Sequence, residues 1–422
     1  MVTFYRAIYS LLFALVIPLE IIRLLIRSRK APDYRSRWGE RFALSLPEAQ
    51  TGTIWFHTVS VGETLAALPV IKHVLNQYPD RPVLVTTMTP TGSERVWAAL
   101  GDSVTHCYAP YDLPNAMVRF YQHFNPEVLF IMETELWPNM IHEAHVRQVP
   151  VVLMNARMSQ KSANGYRRFD TLTRDMLNKL AHIAVQNETD ARRFVELGAN
   201  PDSMTVTGNI KFDLKTPDDL DQKLEVFKTH LHQRPVWLAA STHLGEDEIV
   251  LSAHKKLLQQ YPDACLIIVP RHPERFEAVF QLCREQNYNV QRRSRNEWPI
   301  GEVYLGDTMG ELLQFCTLAD MTFMGGSLIE NGGHNCLEVS AFAKPVMSGP
   351  HDFNFAEINK ELYASGGLTY IKDAETMYEQ LVTWLTRPEL AKKAGKAGLT
   401  VVNANRGAVS KLLAQLAHFL NQ

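Results

Sequence analysis

The 422-residue sequence is poor in cysteine and has no excess of charge of either sign. Its five cysteines are scattered, and no two of them form a C-x-x-C pair. A dispersed, odd-numbered set argues against a disulfide framework and a zinc site, and it suits a reducing compartment. The 43 basic and 45 acidic residues leave a net charge of −2, so the global charge argues neither for nor against a nucleic-acid partner.

Three common functional fingerprints are also missing. The sequence has no G-x-G-x-x-G motif after its first predicted strand, no G-x-x-x-x-G-K-[ST] phosphate loop and no G-x-S-x-G nucleophile elbow. These absences weaken the case for dinucleotide-dependent, P-loop and α/β-hydrolase functions. The string Asp219-Leu220-Asp221 resembles a metal-binding DxD, but we interpret it as the N-cap and first turn of a polar helix, so no metal is predicted.

An apolar segment near the N-terminus predicts association with a membrane. Residues 7–19 carry no charge, and residues 21–26 continue the apolar pattern beyond Pro18 and Glu20. The uncharged run is shorter than a typical spanning helix, and no small-residue cleavage site follows it. We interpret it as a helix that is either steeply inserted or lies in the interface. The alternative is a helix that only covers part of the globular core.

Basic residues cluster directly after the most hydrophobic part of this segment. They are Arg23, Arg27, Arg29, Lys30, Arg35, Arg37 and Arg41. Such a cluster predicts that the rest of the chain lies on the cytoplasmic side of the membrane and contacts anionic headgroups.

Beyond this segment, short β-rich runs alternate with helical stretches, which predicts βαβ units and mostly parallel sheets. Predicted strands are residues 54–57, 82–89, 105–108, 127–132, 149–155 and 183–186, then 236–240, 266–269, 303–305, 321–324 and 345–347. The fold class is therefore α/β, with two doubly wound Rossmann-like domains facing a cleft. We predict an anchor helix at 1–30, a first domain at 31–210, a linker at 211–234, a second domain at 235–400 and an amphipathic C-terminal helix at 401–422.

The most informative stretch is the glycine-rich block that begins at Gly325. The pairs Gly325-Gly326 and Gly332-Gly333 lie between a predicted strand and a helix that carries Glu338. Glycines in such a turn let backbone N–H groups approach an anion, and the helix N-terminus favours its charge. A carboxylate one turn into the helix is able to accept hydrogen bonds from ribose hydroxyls. The alternative is a glycine-rich turn that only packs.

Three glutamates of the first series are candidate acid–base groups. Glu63 follows a glycine at the start of a predicted helix, where it is either a general base or a first-turn acid that complements the helix dipole. Glu133 and Glu135 are two residues apart, so extended backbone would point both to one face of the sheet. Their repulsion would raise the pKa of one of them, or they would bind substrate hydroxyls.

Cationic and hydroxyl groups of the second series suit a phosphate. Arg271 is able to contact two phosphate oxygens, and the Ser241-Thr242 hydroxyls are able to donate from a turn. The histidines His243 and His272 are further donors or only surface groups. Lys211 is either a point charge that reaches the cleft or a solvated linker residue. Because ligands bind outside the carboxyl ends of strands in doubly wound sheets, the placement of these groups after strands favours one site.

Six collinear motifs resemble those of 3-deoxy-D-manno-octulosonic acid (Kdo) transferases. They are Ser60-Val61-Gly62-Glu63, Thr87 to Gly92, Glu133 to Pro138, Pro270 to Phe276, Gly306 to Leu312 and the block from Gly325 to Glu338. The resemblance extends over nearly the whole chain and includes residues 35–41 after the anchor. We see no departure from the family pattern at these motifs.

The resemblance implies a GT-B glycosyltransferase that moves Kdo from CMP-Kdo to the 6′-hydroxyl of a lipid A precursor at the inner membrane, with inversion. Glu63 is implied to be the base, assisted by Glu133 more than Glu135 and by Lys211. No cofactor, metal or nucleic acid is expected. Predicted substrate-binding residues are Ser60, Glu135, Ser241, Thr242, His243, Pro270, Arg271, His272, Met309, Gly310, Glu311, Gly325, Gly326, Ser327, Gly333, Asn335, Cys336, Leu337 and Glu338.

Two other functions remain open at this point. One is a two-domain transferase or epimerase that acts on a UDP-sugar, which CMP or UDP protection in a thermal-shift assay would separate from the first. The other is a membrane-tethered nucleotide-binding module without chemistry, which a single-turnover transfer assay would identify. No residue indicates how many Kdo units are added or what the oligomeric state is.

Overall fold

The computed structural model describes residues 2–29, 32–48, 50–213, 227, 229–231 and 234–421. Most of the predicted linker, including Asp219-Leu220-Asp221, lies outside the described residues, as do Met1 and Lys30 of the predicted anchor segment. The chain divides into two compact units, one formed by Met1–Ile210 with Gly407–Gln422 and the other by Lys211–Arg406.

The first unit is built on a seven-stranded parallel sheet with the order β3-β2-β1-β4-β5-β6-β7. Its strands are β1 Ile54–His57, β2 Val83–Thr87, β3 Thr105–Tyr108, β4 Val128–Met132, β5 Val151–Ala156, β6 His182–Val185 and β7 Met204–Val206. Its helices are α1 Val2–Arg27, α2 Trp38–Arg41, α3 Val61–Gln77, α4 Pro90–Leu100, α5 Pro114–Phe124, α6 Pro138–Val146, α7 Gln160–Arg167, α8 Asp170–Leu177 and α9 Glu188–Glu196.

The central strands are apolar on both faces because helices cover both sides of the sheet. In β4 all five residues, Val128–Met132, are buried, as expected for a parallel strand between two helical layers. Ile54 of β1 lies opposite Val83 and Val128, so the three strands begin in register. Their carboxyl ends therefore meet at one edge, where Glu63 and Glu133 follow β1 and β4.

The second unit repeats this architecture with the strand order β10-β11-β9-β8-β12-β13-β14. Its strands are β8 Val236–Thr242, β9 Cys265–Pro270, β10 Val290–Arg292, β11 Val303–Leu305, β12 Met321–Met324, β13 Val346–Ser348 and β14 Leu368–Tyr370. Its helices are α10 Asp247–Gln260, α11 Phe276–Glu285, α12 Leu312–Leu318, α13 Leu337–Ser340, α14 Ala356–Ser365, α15 Ala374–Thr386 and α16 Pro388–Ala404.

The last helix, α17 Ala408–Leu420, belongs to the first unit. Its apolar residues Leu412, Leu416 and Leu420 are buried in the same core as Phe56 and Phe130. The amphipathic spacing at the end of the chain therefore covers a face of the first sheet.

The predicted α/β class is confirmed, with two doubly wound parallel sheets in one chain, the domain composition of a GT-B protein. Three strands were missing from the prediction: β7, β10 and β14. Each has only three residues and lies at a sheet edge. Edge strands that short carry almost no alternation for sequence analysis to detect.

The N-terminal helix α1 is longer than the uncharged run, because Pro18 lies inside it without ending it. Its length and composition alone would allow it to cross a membrane. Leu11, Leu15 and Leu19 are more than 60% exposed, whereas Ile17 and Leu24 are 8% exposed. One face of α1 thus packs on protein and the other is apolar and uncovered.

Candidate active site

The turn between β1 and α3 fixes the carboxyl group of Glu63. Ser60 is the N-cap of α3: its hydroxyl donates to Oε1 of Glu63 over 2.7 Å, and its oxygen faces the Glu63 amide at 3.3 Å. The amide of Val59 donates to Oε2 over 2.9 Å. Both carboxylate oxygens of Glu63 therefore have a donor within the turn, and Glu63 is only 7% exposed. Glu63 is therefore both the first-turn acid considered above and a fixed group at the edge of the sheet.

The surroundings of Glu63 suit proton transfer near neutral pH. Burial, which is the largest cause, and the charges of Glu135 and Glu133 together raise the pKa of Glu63 to about 7, against the opposing hydrogen bonds from Val59 and Ser60. Near neutral pH such a carboxyl group is ionised in a substantial fraction of the molecules, and its proton affinity is high enough to take a proton from a substrate hydroxyl.

The segment Glu133 to Trp137 forms an acidic loop after β4. The expected extended backbone is wrong here, because β4 ends at Met132 and Glu133 has a φ of 55°. A left-handed conformation is uncommon for a non-glycine residue and is typical of functional sites. The Trp137 indole donates to Oε2 of Glu135 over 2.9 Å, and burial raises the pKa of Glu135.

A buried histidine next to this loop was not predicted. His57, the last residue of β1, is fully buried, and its ring lies 4.6 Å from that of Trp137. Its Nδ1 lies 2.9 Å from the Thr86 hydroxyl, and burial lowers the pKa of His57 to about 3. His57 is thus neutral, and its ring packs against that of Trp137. Its strand position gave no signal to distinguish it from a core residue.

In the second unit, Arg271 and Glu338 act on each other electrostatically. Arg271 follows β9, and its amide donates to the Thr242 carbonyl over 3.0 Å, which leaves the guanidinium exposed. Glu338 lies in the first turn of α13. Burial raises the pKa of Glu338, and Arg271 opposes that rise. Among the described residues no group donates a hydrogen bond to the Glu338 carboxylate, so it remains able to accept one from a ligand hydroxyl.

The backbone amides of the glycine-rich turn after β12 already bind a carboxylate of the protein itself. Glu246 is fully buried, and its carboxylate accepts hydrogen bonds from the amides of Gly326 (2.6 Å), Ser327 (3.0 Å), Leu328 (3.0 Å) and His243 (3.0 Å). The backbone N–H groups of this turn were predicted to approach an anionic ligand, whereas those of Gly326, Ser327 and Leu328 donate to Glu246. Any ligand contact by Gly325, Gly326 or Ser327 must use other atoms, and Glu246 was not predicted.

The hydroxyl of Thr242 is likewise engaged within the protein. It donates to Oδ1 of Asp247 over 2.6 Å, and Arg275 pairs with the other oxygen of that carboxylate. Arg275 also donates to the Thr242 carbonyl over 2.9 Å. The neighbouring Ser241 has a φ of 54°, at the point near the end of β8 where its register against β9 shifts. Thr242 is positioned as a structural residue of this turn, and Ser241 remains a candidate donor.

Histidines converge at the same edge of the second sheet. Nε2 of His243 lies 2.9 Å from Nε2 of His334, and the two rings are stacked. The His272 ring lies 5.3 Å from that of His243. Burial, the neighbouring His272 and the cations Arg275 and Arg271 lower the pKa of His243 to about 4. His243 is therefore a neutral donor or acceptor and not the protonated group considered from the sequence.

The remaining predicted residues lie in three settings. Glu311 binds Arg293 over 2.8 Å and also accepts from Thr308. Lys211 lies 3.4 Å from Glu357, so it has a carboxylate partner within its own unit. Met309 is 62% exposed. Pro270 ends β9, and Gly310 and Gly333 have positive φ. The side chain of Asn335 accepts a hydrogen bond from the Leu337 amide. Cys336 and Leu337 are fully buried and contribute to packing.

Each unit thus gathers its own set of predicted residues. Ser60, Glu63, Glu133 and Glu135 act on one another in the first, and Ser241, His243, His272, Arg271, Gly326 and Glu338 lie around the ends of β8, β9 and β12 in the second. In the described part of the chain no group of three or more His, Cys, Asp or Glu residues is arranged to hold a metal ion.

Comparison with known proteins gives consistent results. A family model described as 3-Deoxy-D-manno-octulosonic-acid transferase (kdotransferase) matches residues 36–214. The chain is 41% identical to a 3-deoxy-D-manno-octulosonic acid transferase of Haemophilus influenzae, over 99% of each chain. It is 32% identical to one of Bordetella pertussis, over 98% of this chain and 99% of the other.

Another relative and a solved domain are also similar. A probable mitochondrial 3-deoxy-D-manno-octulosonic acid transferase of Arabidopsis thaliana is 33% identical, over 94% of this chain and 91% of the other. The crystal structure of the C-terminal CMP-Kdo binding domain of WaaA from Acinetobacter baumannii is 33% identical, with a TM-score of 0.42, and covers 43% of this chain and 97% of that one.

Proposed function

The chain belongs to the Kdo transferase family, and from that premise we propose that it is an inverting glycosyltransferase that moves Kdo from CMP-Kdo to the 6′-hydroxyl of a lipid A precursor. The observation that carries this proposal is the carboxyl group of Glu63. It is fixed by Val59 and Ser60, is flanked by two further glutamates and has a pKa raised to about 7.

In this mechanism Glu63 is the general base. Its carboxylate takes the proton of the acceptor hydroxyl as that oxygen forms a bond to the anomeric carbon of Kdo. The bond from the anomeric carbon to the phosphate oxygen breaks on the opposite side, and its electron pair leaves with CMP. The product is the Kdo glycoside, free CMP and a protonated Glu63, which returns its proton to solvent.

The donor nucleotide is assigned to the second unit. Arg271 is exposed and is able to neutralise the phosphate of CMP as charge develops on the leaving group. Glu338 is half-buried and accepts no hydrogen bond from the described residues, which suits a ribose hydroxyl. The family resemblance adds Glu133 and Lys211 as groups that assist the transition state, and the left-handed backbone of Glu133 supports a functional position for it.

The acceptor is assigned to a membrane surface at the cytoplasmic side of the inner membrane. The uncovered apolar face of α1, with Leu11, Leu15 and Leu19, supports membrane association. The exposed arginines at and after the end of α1 suit the anionic headgroups and the anionic acceptor; they are Arg23, Arg27, Arg29 and Arg35. The predicted headgroup contacts of Arg37 and Arg41 are not supported, because Arg37 binds Glu40 and Arg41 is buried.

Two substitutions separate the chemical step from donor binding. Glu63→Gln keeps the shape of the side chain but removes the base, so we expect turnover to fall by about 10²–10⁴ with CMP affinity unchanged. Arg271→Ala removes a charge-assisted contact and should weaken CMP binding by about 1.5–3 kcal/mol. Transfer is measured by mass spectrometry of the lipid product, and CMP affinity is measured by calorimetry.

The matched controls are Glu196→Gln in the first unit and Arg284→Ala in the second, both on exposed side chains. Neither should change turnover or CMP affinity. Turnover of Glu63→Gln within a few-fold of the parent would contradict the assignment of the base. Stronger thermal protection by UDP than by CMP would indicate a UDP-sugar enzyme, and CMP binding without any single-turnover transfer would indicate a binding module.

A further inference from the structure

The protein-facing side of α1 carries a polar contact in an otherwise apolar helix. The Ser10 hydroxyl accepts a hydrogen bond from Nδ2 of Asn139 over 3.0 Å and lies 3.3 Å from its Oδ1. Asn139 is the second residue of α6 and is only 1% exposed. α1 packs against both α6 and α8. A helix that served only as a tether would not need a buried polar partner in the globular unit.

Asn139 connects Ser10 to a buried carboxylate that caps α6. Oδ2 of Asp112 accepts from the Asn139 amide over 3.0 Å, and Oδ1 accepts from the Met140 amide over 2.8 Å. Nδ2 of Asn139 donates to the Asp112 carbonyl over 2.7 Å. The N-cap of α6, Trp137, has no side-chain hydrogen bond to the helix, so Asp112 replaces a local cap and satisfies two of the exposed N–H groups.

The environment of Asp112 also involves α1. Burial raises the pKa of Asp112 to about 6, and the amides of Asn139 and Met140, the Tyr9 hydroxyl and the Arg6 guanidinium oppose that rise. Tyr9 and Arg6 are residues of α1. The helix therefore stabilises the ionised cap with its own groups as well as contacting Asn139.

The start of α6, which Asp112 and Asn139 hold in place, is also the point where the acidic loop ends. α6 begins at Pro138, directly after Glu133 to Trp137. Trp137 contacts both His57 and the carboxylate of Glu135, and Glu135 and Glu133 act on the pKa of Glu63. A displacement at the start of α6 would thus move the carboxylates that surround the proposed base.

We propose that α1 positions the acidic loop through the bridge Ser10–Asn139–Asp112, in addition to its association with the membrane. Asp112 and Asn139 are positioning residues, since they hold the start of α6 in place and contact none of the reacting atoms. The inference rests on the proposed function of Glu63 and its acidic neighbours. The proposal implies that full activity requires the packing of α1 against the first unit, even when the acceptor is not in a membrane.

The test is a double-mutant cycle in the full chain with Ser10→Ala, Asn139→Ala and the double variant. Transfer is measured with a water-soluble, deacylated form of the acceptor, so that membrane binding does not contribute. We expect each single variant to lose about tenfold in kcat, because small misplacements of catalytic groups cost up to about 10²-fold. The kcat of the double variant should lie within twofold of the kcat of the less active single variant, because both substitutions break the same bridge.

Hydrogen exchange of residues 133–137 gives a second reading that does not depend on activity. The amides of Glu133, Glu135 and Leu136 donate within this region to Met154, Met132 and Thr134, and their exchange should accelerate in both single variants. If Glu63→Gln shows that the proposed base is wrong, accelerated exchange together with a loss of kcat in Ser10→Ala still supports the bridge. Ser10→Ala removes a single hydroxyl, so it keeps the test valid if Asn139→Ala does not fold.

The matched control is Leu15→Ala, on the exposed face of α1. It should weaken binding to vesicles and leave both kcat on the soluble acceptor and the exchange of residues 133–137 unchanged. The proposal is overturned if Ser10→Ala changes neither the exchange nor kcat, or if it accelerates the exchange without loss of kcat. Additive losses of kcat in the double variant would also overturn it. So would a loss of kcat in Leu15→Ala equal to that in Ser10→Ala.

Discussion

Each unit has a buried glutamate where its first strand connects to the next helix, and the two serve different purposes. Glu63 lies in the first turn of α3, after β1, whereas Glu246 is the N-cap of α10, after β8, and each directly follows a glycine. Both carboxyl groups accept backbone N–H groups, and burial raises the pKa of both. Their neighbours differ. Glu63 has one amide donor, one hydroxyl donor and two repelling glutamates, whereas Glu246 has four amide donors.

This difference separates a chemical role from a structural one. Each oxygen of Glu246 receives two amide hydrogen bonds, so the geometry favours the ionised form and opposes the effect of burial. Glu63 is held more loosely and is destabilised as an anion by Glu135 and Glu133, which is the condition under which a carboxylate gains affinity for a proton. The same substitution, glutamate to glutamine, should therefore have opposite effects on stability at the two positions.

The largest effect is expected for Glu246→Gln. The amide NH2 of glutamine would face two backbone N–H groups, so two charge-assisted hydrogen bonds would be lost, at about 1.5–3 kcal/mol each. The free energy of unfolding in urea should fall by roughly 3–6 kcal/mol, and CMP should bind more weakly because the turns after β8 and β12 lose their common partner.

The control for this variant is Glu248→Gln, an exposed position on α10, which should leave urea unfolding unchanged. A loss of stability below about 1 kcal/mol in Glu246→Gln would show that the carboxylate is protonated in the folded protein, since a neutral group is replaced by glutamine at little cost.

Glu63→Gln should stabilise the protein at alkaline pH relative to acid pH. Between the unfolded pKa of 4.5 and the folded pKa of about 7, the folded state keeps a proton that the unfolded state has released. Stability of the parent therefore falls as pH rises through this window, by up to about 3 kcal/mol, and the loss is complete above pH 7. Glutamine does not titrate and escapes this loss.

The measurement is the difference in urea unfolding free energy between variant and parent at pH 8 and at pH 4. We expect this difference to be more favourable to the variant at pH 8. An equal difference at both values would mean that the pKa of Glu63 is not raised by folding. Glu196→Gln, which is exposed, should show no such dependence on pH.

The sequence alone predicted the frame of this comparison better than its details. Eleven strands of the two sheets were predicted because buried parallel strands are continuous apolar runs. The glycine before it and the start of a helix made Glu63 a candidate, and only the family resemblance assigned it as the base. Glu246 was missed although it also follows a glycine, because three of its four amide partners lie some eighty residues away in the chain. The left-handed Glu133 and the bridge through Asn139 were likewise undetectable, since both depend on contacts between distant elements.

The smallest effect, and the finest test of the comparison, is expected for Glu135→Gln. Removing this charge should lower the pKa of Glu63, so the rise of kcat/KM with pH should move to lower pH by about 1 unit or less, the usual size of such shifts. The midpoint should still lie well above 4.5, because burial is the larger cause of the raised pKa. Glutamine is able to keep the hydrogen bond from Trp137, so the loop should stay in place.

Glu133→Gln should move the midpoint in the same direction but less, since Glu135 has the larger influence. An unchanged midpoint in both variants would show that Glu63 is tuned by burial alone, and a midpoint near 4.5 in either would show that the glutamates, and not burial, make it different from Glu246.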